Sequence, residues 1–285
     1  MNYPWKDYDG RTSPLKLAVF VALFVPALWV GVAFASGWLG PRPLNEAIHQ
    51  LGLWTIRLIF LALAVTPLRH ILQWSRLLAV RRMIGVGAFA YAIGHLALYA
   101  ADQAFDLAKI ATEIALRIYL TIGFAAVIGL AALAATSTDG MIRRLGARRW
   151  QRLHRLVYAI ALLAVVHFCM QSKLDLWEPT IMAGLCAWLI GYRLLGRPVG
   201  ARSRLSLVGV GMLGIGVAVL TALGEAAYFW LAYGADPTLV IAANGSLATG
   251  VRPAVVVLAL TEAVTAAGAL RRVFALPPKR RPRFA

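Results

Sequence analysis

Eight apolar runs divide this chain of 285 residues, at roughly 15–38, 46–66, 82–101, 113–136, 153–171, 177–195, 205–233 and 251–270. Most approach or exceed the ~20 residues a helix needs to cross the hydrocarbon of a bilayer. The links between them are short. In lipid every backbone N–H and C=O must find its partner within the protein, which leaves helices or closed barrels. Nothing here alternates with the period of two that a barrel strand requires. The pattern predicts an all-α integral membrane protein, a helical bundle of about eight transmembrane helices. Hydrophobic residues make up 60% of the chain, above the usual share in soluble domains.

The net charge of +17 could suggest nucleic acid, but its distribution argues otherwise. Of 29 Lys and Arg, 23 fall in five segments, 1–16, 67–82, 137–155, 193–204 and 271–285, at alternate ends of the spans. The opposite loops hold Arg42, Lys109, Lys173 and Arg252 and most of the acids, among them Glu46, Asp102, Asp106, Glu113, Asp175, Glu178 and Asp236. The positive-inside rule then places both termini in the cytoplasm. Contact with anionic membrane lipids is a second consequence of the basic excess, and nucleic acid is not an expected partner.

Lys6, Arg11 and Lys16 precede the first apolar run, and Ala33-Phe34-Ala35 resembles a signal-peptide cleavage site. The run from Leu15 to Ala35 is longer than a usual signal core, so a retained first helix is expected, kinked at Pro26. Pro67 is expected to end the second span, and Pro198 follows the sixth. Thr136 to Gly140 is turn chemistry, and Trp150 and Trp177 are placed to sit at the interfaces. Cys169 and Cys186 have no metal or redox spacing and read as packing residues. No internal repeat is evident. Composition shifts near residue 200: Gly209, Gly211, Gly214 and Gly216 suit close helix packing, and no histidine follows. The expected division is a chemical core at 1–200 and a two-helix appendage at 201–285 with a mobile basic tail from Pro277.

Three histidines lie in apolar spans: His95, His154 and His167. Ionisable groups there are costly and point to function. Span three enters from the cytoplasm at Arg81-Arg82, which puts His95 ~20 Å deep, towards the periplasm. Span five enters after Arg148-Arg149-Trp150, so His154 is shallow and His167, thirteen residues on, shares the depth of His95. Two neutral imidazoles facing each other across a bundle form the axial pair of a b-type haem, and a filled axial set implies electron transfer. The blander alternative is an interhelical hydrogen bond from each ring. At ~100° per residue, His154 and His167 fall on different faces of one helix. The partner of His154 stays open. His70, at the cytoplasmic end of span two, is the remaining imidazole on that side and reads first as an exposed interfacial residue; His49 reads first as interfacial at the other side, with contact to a cofactor as the lesser alternative.

The arginines at 81, 82, 148, 149, 152 and 155 could hold anionic groups of a cofactor, although topology alone accounts for most of them. Arg57, mid-span, needs an anionic partner, and Glu225 and Glu262 could pair or carry protons. There is no GxGxxG, no Walker loop and no soluble domain, so electrons are expected from membrane quinol or from a separate reductase.

Arg81-Arg82-Met83-Ile84-Gly85 with Tyr91-Ala92-Ile93-Gly94-His95 resembles the third helix of the MsrQ (YedZ) family. The run from Arg148 through Leu153-His154-Arg155-Leu156 to Tyr158, then His167-Phe168, resembles its fifth. Leu63 to Arg69 and Gly191-Tyr192-Arg193 are also similar, and the likeness covers about residues 1–196. More distantly the chain resembles the ferric reductase and NADPH oxidase transmembrane domain. The resemblance implies a six-helix haem-binding core, with His95, His154 and His167 on the family's haem positions. It implies haem b, one or two, with FMN as a further cofactor for which no residue stands out. It implies quinol as donor and a periplasmic molybdopterin catalytic subunit (MsrP-type) that repairs oxidised methionine as acceptor. On that reading this chain is an electron-transfer subunit without a substrate-reducing site of its own. The rivals are a metalloreductase-type cytochrome b and a non-redox transporter or scaffold.

Overall fold

The computed structural model describes residues 3–7, 9–172, 175–196, 205–246, 248 and 250–274. Lys173, Pro198 and the basic tail from Pro277 lie outside them. Apart from one isolated bridge between Lys6 and Thr12, the regular elements among the described residues are helices. They are α1 (Pro14–Ala22), α2 (Val25–Ala35), α3 (Pro43–Ile71), a 3-10 turn (Ser75–Val80), α4 (Arg81–Asp102), α5 (Leu107–Leu116), α6 (Ile118–Ala135), α7 (Asp139–Leu145), α8 (Ala147–His154), α9 (Leu156–Gln171), α10 (Trp177–Leu195), α11 (Leu207–Tyr233), α12 (Pro237–Asn244) and α13 (Pro253–Val273).

Seven stretches among the described residues are long and apolar enough to cross a membrane: 14–35, 43–71, 75–102, 118–135, 147–171, 207–233 and 253–273. The expected sixth span exists as α10, a 19-residue helix that carries Glu178 and Arg193 and falls short of the apolar criterion the others meet. It is nevertheless an interior element. Ile181, Cys186, Trp188 and Leu189 are buried, and it packs on α3, α9, α11 and α13. Among the deepest side chains of the bundle are Ile59 and Leu63 on α3, Ala88 on α4, Ala161 on α9 and Val257 on α13.

Several boundaries differ from the sequence reading, each for a local reason. Pro67 does not end the second span: α3 runs on to Ile71 with the proline inside it. Proline has no N–H for the carbonyl four residues back, which is that of Leu63. The Arg193 guanidinium of α10 donates to that carbonyl instead, so the helix continues without an orphaned acceptor. The fourth span begins later than expected. Arg117 is extended (φ −105°, ψ 103°) and separates α6 from α5, a short amphipathic helix capped by Asp106, whose carboxylate accepts from the Lys109 N–H at 2.9 Å. The fifth span is jointed at Arg155. There 3-10 hydrogen bonds, Arg155 N–H to Arg152 C=O (3.3 Å) and Tyr158 N–H to Arg155 C=O (3.1 Å), divide α8 from α9. His154 and His167 therefore do not share one regular helix. The first span breaks before Pro26, where the kink was expected.

The glycines of α11 act as the small-residue pattern implies. A Cβ at Gly214 would stand 2.6 Å from both Glu262 Oε1 and Thr261 Oγ1 of α13, so the bare backbone is what lets the two helices meet. The three buried or mid-span charges are placed differently. Arg57 pairs with Glu178 of α10, Glu225 pairs with Arg252 at 2.6 Å, and Glu262 Oε1 is buried without a hydrogen-bond partner.

Candidate functional site

His95 of α4 and His167 of α9 face each other, with ring centroids 6.5 Å apart and planes at 83°. Each ring is aimed in the same way by a neighbouring helix. His95 Nδ1 lies 2.8 Å from the Ile48 carbonyl of α3, and His167 Nδ1 lies 2.8 Å from the Tyr119 carbonyl of α6. A carbonyl only accepts, so Nδ1 must carry the proton in both rings. Nε2 is then the free lone pair on each, the tautomer a metal ligand needs.

Four residues beyond each acceptor stands a glycine that makes room for the ring. A Cβ at Gly52 would lie 3.0 Å from His95 Nδ1, and one at Gly123 would lie 2.7 Å from His167 Nδ1. The pairs α3–α4 and α6–α9 thus repeat one device: carbonyl, glycine notch, imidazole. The sequence reading found the histidines but missed their supports. The signal was present in the matching spacings Ile48-x3-Gly52 and Tyr119-x3-Gly123.

The two rings border a cavity of about 430 Å³ lined by α3, α4, α5, α6 and α9. Its walls are mostly apolar, with Ile56, Leu96, Phe124, Val127 and Phe168 among them. One end is polar, formed by Asn45, Asp102, Lys109, Glu113 and Arg117. Arg117 is paired with Glu113 at 2.5 Å and donates to the Tyr119 hydroxyl at 3.3 Å. These two contacts, the phenol first, hold its guanidinium above the ordinary arginine range. His49, read from the sequence as interfacial, also lines this cavity.

The geometry fits one metal atom between the imidazoles. Two metal–nitrogen bonds of about 2 Å each and the half-width of each ring add up to roughly 6.3 Å between centroids. No group of three or more His, Cys, Asp or Glu among the described residues could hold a metal ion. Two nitrogens alone leave a bare ion short of ligands. They would suffice to hold an iron whose remaining ligands come from a porphyrin. Lys109 and Arg117 at the polar end are suited to the carboxylates of such a ring.

His154 is placed elsewhere. It stacks on Trp150 (centroids 4.0 Å apart, 27° between planes), and its Nε2 lies 3.2 Å from Thr136 Oγ1. The Thr136 hydroxyl donates to the Ala132 carbonyl at 2.8 Å, so Nε2–H of His154 is the donor to it. Trp150 Nε1 closes the knot by donating to the Thr136 carbonyl at 2.9 Å. His70 borders a different cavity, with Arg69 and Arg272. The structure thus joins His95, His167 and His49 around one space and sets His154 and His70 apart from it. Of the arginines at the basic end, Arg82 is engaged in an ion pair with Asp139.

The helical membrane bundle places the chain with ferric-reductase-like transmembrane components, and the family model of that description matches residues 51–165, which include His95. Full-length relatives narrow this. The chain is 44% identical over 181 residues to the protein-methionine-sulfoxide reductase heme-binding subunit MsrQ of Rhodospirillum rubrum, covering 63% of this chain and 87% of that protein. Proteins of the same name from Azospira oryzae and Xanthomonas axonopodis pv. citri are 41% and 43% identical, over 66% and 63% of this chain and 81% and 85% of theirs. The chain belongs to the MsrQ family. No solved structure matches it.

Proposed function

We propose that this chain is a b-type cytochrome subunit that carries electrons across the inner membrane to a periplasmic methionine sulfoxide reductase. The observation that carries the reading is the His95/His167 pair: opposed rings at 6.5 Å, with both Nδ1 atoms committed to backbone carbonyls. His95 and His167 are assigned as the axial ligands, and Lys109 and Arg117 as the partners of the haem carboxylates. The haem would supply a one-electron carrier with both axial positions filled. The protein's own part is to fix the two rings, exclude water with the apolar walls and keep the iron closed to substrate.

The names of the relatives support the haem and the methionine sulfoxide reductase system. The basic end, with Arg82, Arg143, Arg148 and Arg271, is assigned to the cytoplasm, together with both termini. The cavity between His95 and His167 then lies nearer the periplasm, where a molybdopterin subunit would dock and take the electron. The donor side is the cytoplasmic half, with membrane quinol as the donor. Because every cavity-lining residue falls between 45 and 171, the haem core is assigned to 1–200, and 201–285 to a separate two-helix segment. His154 is the candidate for a second haem at the cytoplasmic end. FMN is carried by the resemblance alone.

The test is a reduced-minus-oxidised absorption spectrum of the purified protein with haem quantified per chain. A low-spin b-type signal that disappears in both His95→Ala and His167→Ala supports the pair. One haem per chain, unaffected by His154→Ala, would remove His154 from the ligand set. A protein purified from haem-replete cells without any such signal would overturn the reading.

A further inference from the structure

A second cavity, of about 520 Å³, lies at the basic end where α13 meets the end of α3. Arg69, His70 and Arg272 border it, together with the polar side chains of Gln73 and Ser75. Leu205, Leu207 and Val210, leading into and along α11, form its apolar wall. Two contacts lock the last turns of α13 to the core beside it. Gly268 lies so close to α3 that a Cβ there would meet Ile71 Cγ2 at 2.6 Å. Arg271 sits over the Trp74 ring, 5.5 Å from its centre, which leaves the next residue, Arg272, at the cavity.

Among the described residues neither Arg69 nor Arg272 pairs with an Asp or Glu. The lining comes from three stretches, 47–101, 179–224 and 263–285, and none of them contains an Asp or Glu. The C-terminal ends of α3 and α13 favour cations in their last turns. That accounts for basic residues at each end, but not for two arginines from different helices around one space whose lining holds no Asp or Glu. Like charges gathered in a partly desolvated cavity repel, and an anion entering it relieves that repulsion.

We propose that this cavity binds a phosphate group, and that its source is the headgroup of an anionic phospholipid. The phosphate would sit between Arg69 and Arg272, and the glycerol and first acyl carbons would lie against Leu205, Leu207 and Val210. Basic pockets between transmembrane helices hold anionic headgroups in this way. The lipid would bridge the core and the C-terminal helices. The site is separate from the His95/His167 cavity, and the inference does not depend on haem.

The experiment is native mass spectrometry of the full-length protein in micelles supplied with phosphatidylglycerol or with phosphatidylcholine. Wild type should retain phosphatidylglycerol and release phosphatidylcholine. Arg69→Ala with Arg272→Ala should lower the retained phosphatidylglycerol by roughly tenfold or more. Arg76→Ala, the same charge loss at an exposed position of that end that does not line the cavity, should not lower it. If the double variant fails to fold, Arg272→Gln against Arg272→Lys gives the same comparison from the exposed last turn of α13, the lysine retaining lipid. Millimolar inorganic phosphate should leave the lipid in place; displacement by it would keep the phosphate site and assign it to a soluble ligand. Equal retention of both lipids by wild type, or of phosphatidylglycerol by wild type and double variant, would overturn the proposal.

Discussion

The guanidinium of Arg193 on α10 donates to the carbonyl of Leu63 on α3, the acceptor that Pro67 strips of its helical partner. It also donates to Leu189 of its own helix at 2.8 Å and lies over the Tyr158 ring. Removing it leaves a buried carbonyl unsatisfied at a cost of about 1–3 kcal/mol. Arg193→Met is therefore expected to lower the midpoint of unfolding in detergent. Pro67→Ala in the same chain restores an N–H four residues after Leu63 and should recover much of the loss. A double-mutant cycle with no coupling between the two positions would contradict this account.

The glycine notches make an ordered set of outcomes. Gly123→Ala sets a Cβ 2.7 Å from His167 Nδ1, and Gly52→Ala sets one 3.0 Å from His95 Nδ1. Both rings are held by a backbone hydrogen bond and cannot swing away freely. Both variants should lose or shift the low-spin haem signal, Gly123→Ala the more severely. Gly85→Ala, with nothing within 4 Å, should keep it. The absorption spectrum and the haem-to-protein ratio of the three variants decide the matter.

Asp139, the first residue of α7, is paired with Arg82 of α4. The hydrogen bond from Arg82, and then its charge, hold the carboxyl below the ordinary aspartate range. A depressed value means that the stabilisation is fully present above the unfolded value, near pH ~4, and is lost as pH falls through the folded one. Both side chains are about half exposed, so the effect is local. Amide exchange in 139–146, corrected for its intrinsic pH dependence, should rise as pH drops below that range. In Asp139→Asn it should be raised already at neutral pH and change little on acidification.

Glu225 is buried against Arg252 and also accepts from Asn244 Nδ2 at 2.9 Å. The triad ties α11, α12 and the start of α13 together. Arg252→Met leaves a buried carboxylate without its cation, which costs about 3–5 kcal/mol. Replacing both, Glu225→Leu with Arg252→Met, should be far milder than either change alone. Thermal unfolding of the three variants in one detergent gives the comparison, and additive losses would rule the coupling out.

The parts of this protein that follow from rise per residue were legible in the sequence. Counting from Arg82 to His95 and from Trp150 to His167 put two imidazoles at one depth, and the bundle brings those rings together. Pro26 marked a break because its ring acts on the residues beside it. Pro67 misled because its remedy, Arg193, lies 130 positions from Leu63, and nothing local announces it. The joint at Arg155 and the extended Arg117 are also settled by neighbours. At Arg117, Thr121 Oγ1 donates to Ile114 C=O at 2.5 Å across the break. His49 could not be placed from depth alone, because depth does not say which face of α3 borders the cavity. A partner for Arg57 was called for on grounds of charge and one for Glu225 was left open, and only packing could choose Glu178 and Arg252.

The ring-orienting acceptors are main-chain atoms, the carbonyls of Ile48 and Tyr119. Such groups do not titrate, and no side-chain replacement deletes them. The aim of each imidazole is therefore indifferent to pH and to the identity of residues 48 and 119. Apart from the glycine notches at Gly52 and Gly123, it answers to the sliding of one helix along its neighbour. Any event that shifts α3 against α4, or α6 against α9, would be felt at the rings at once, so the orientation of this site reports on helix register rather than on local chemistry.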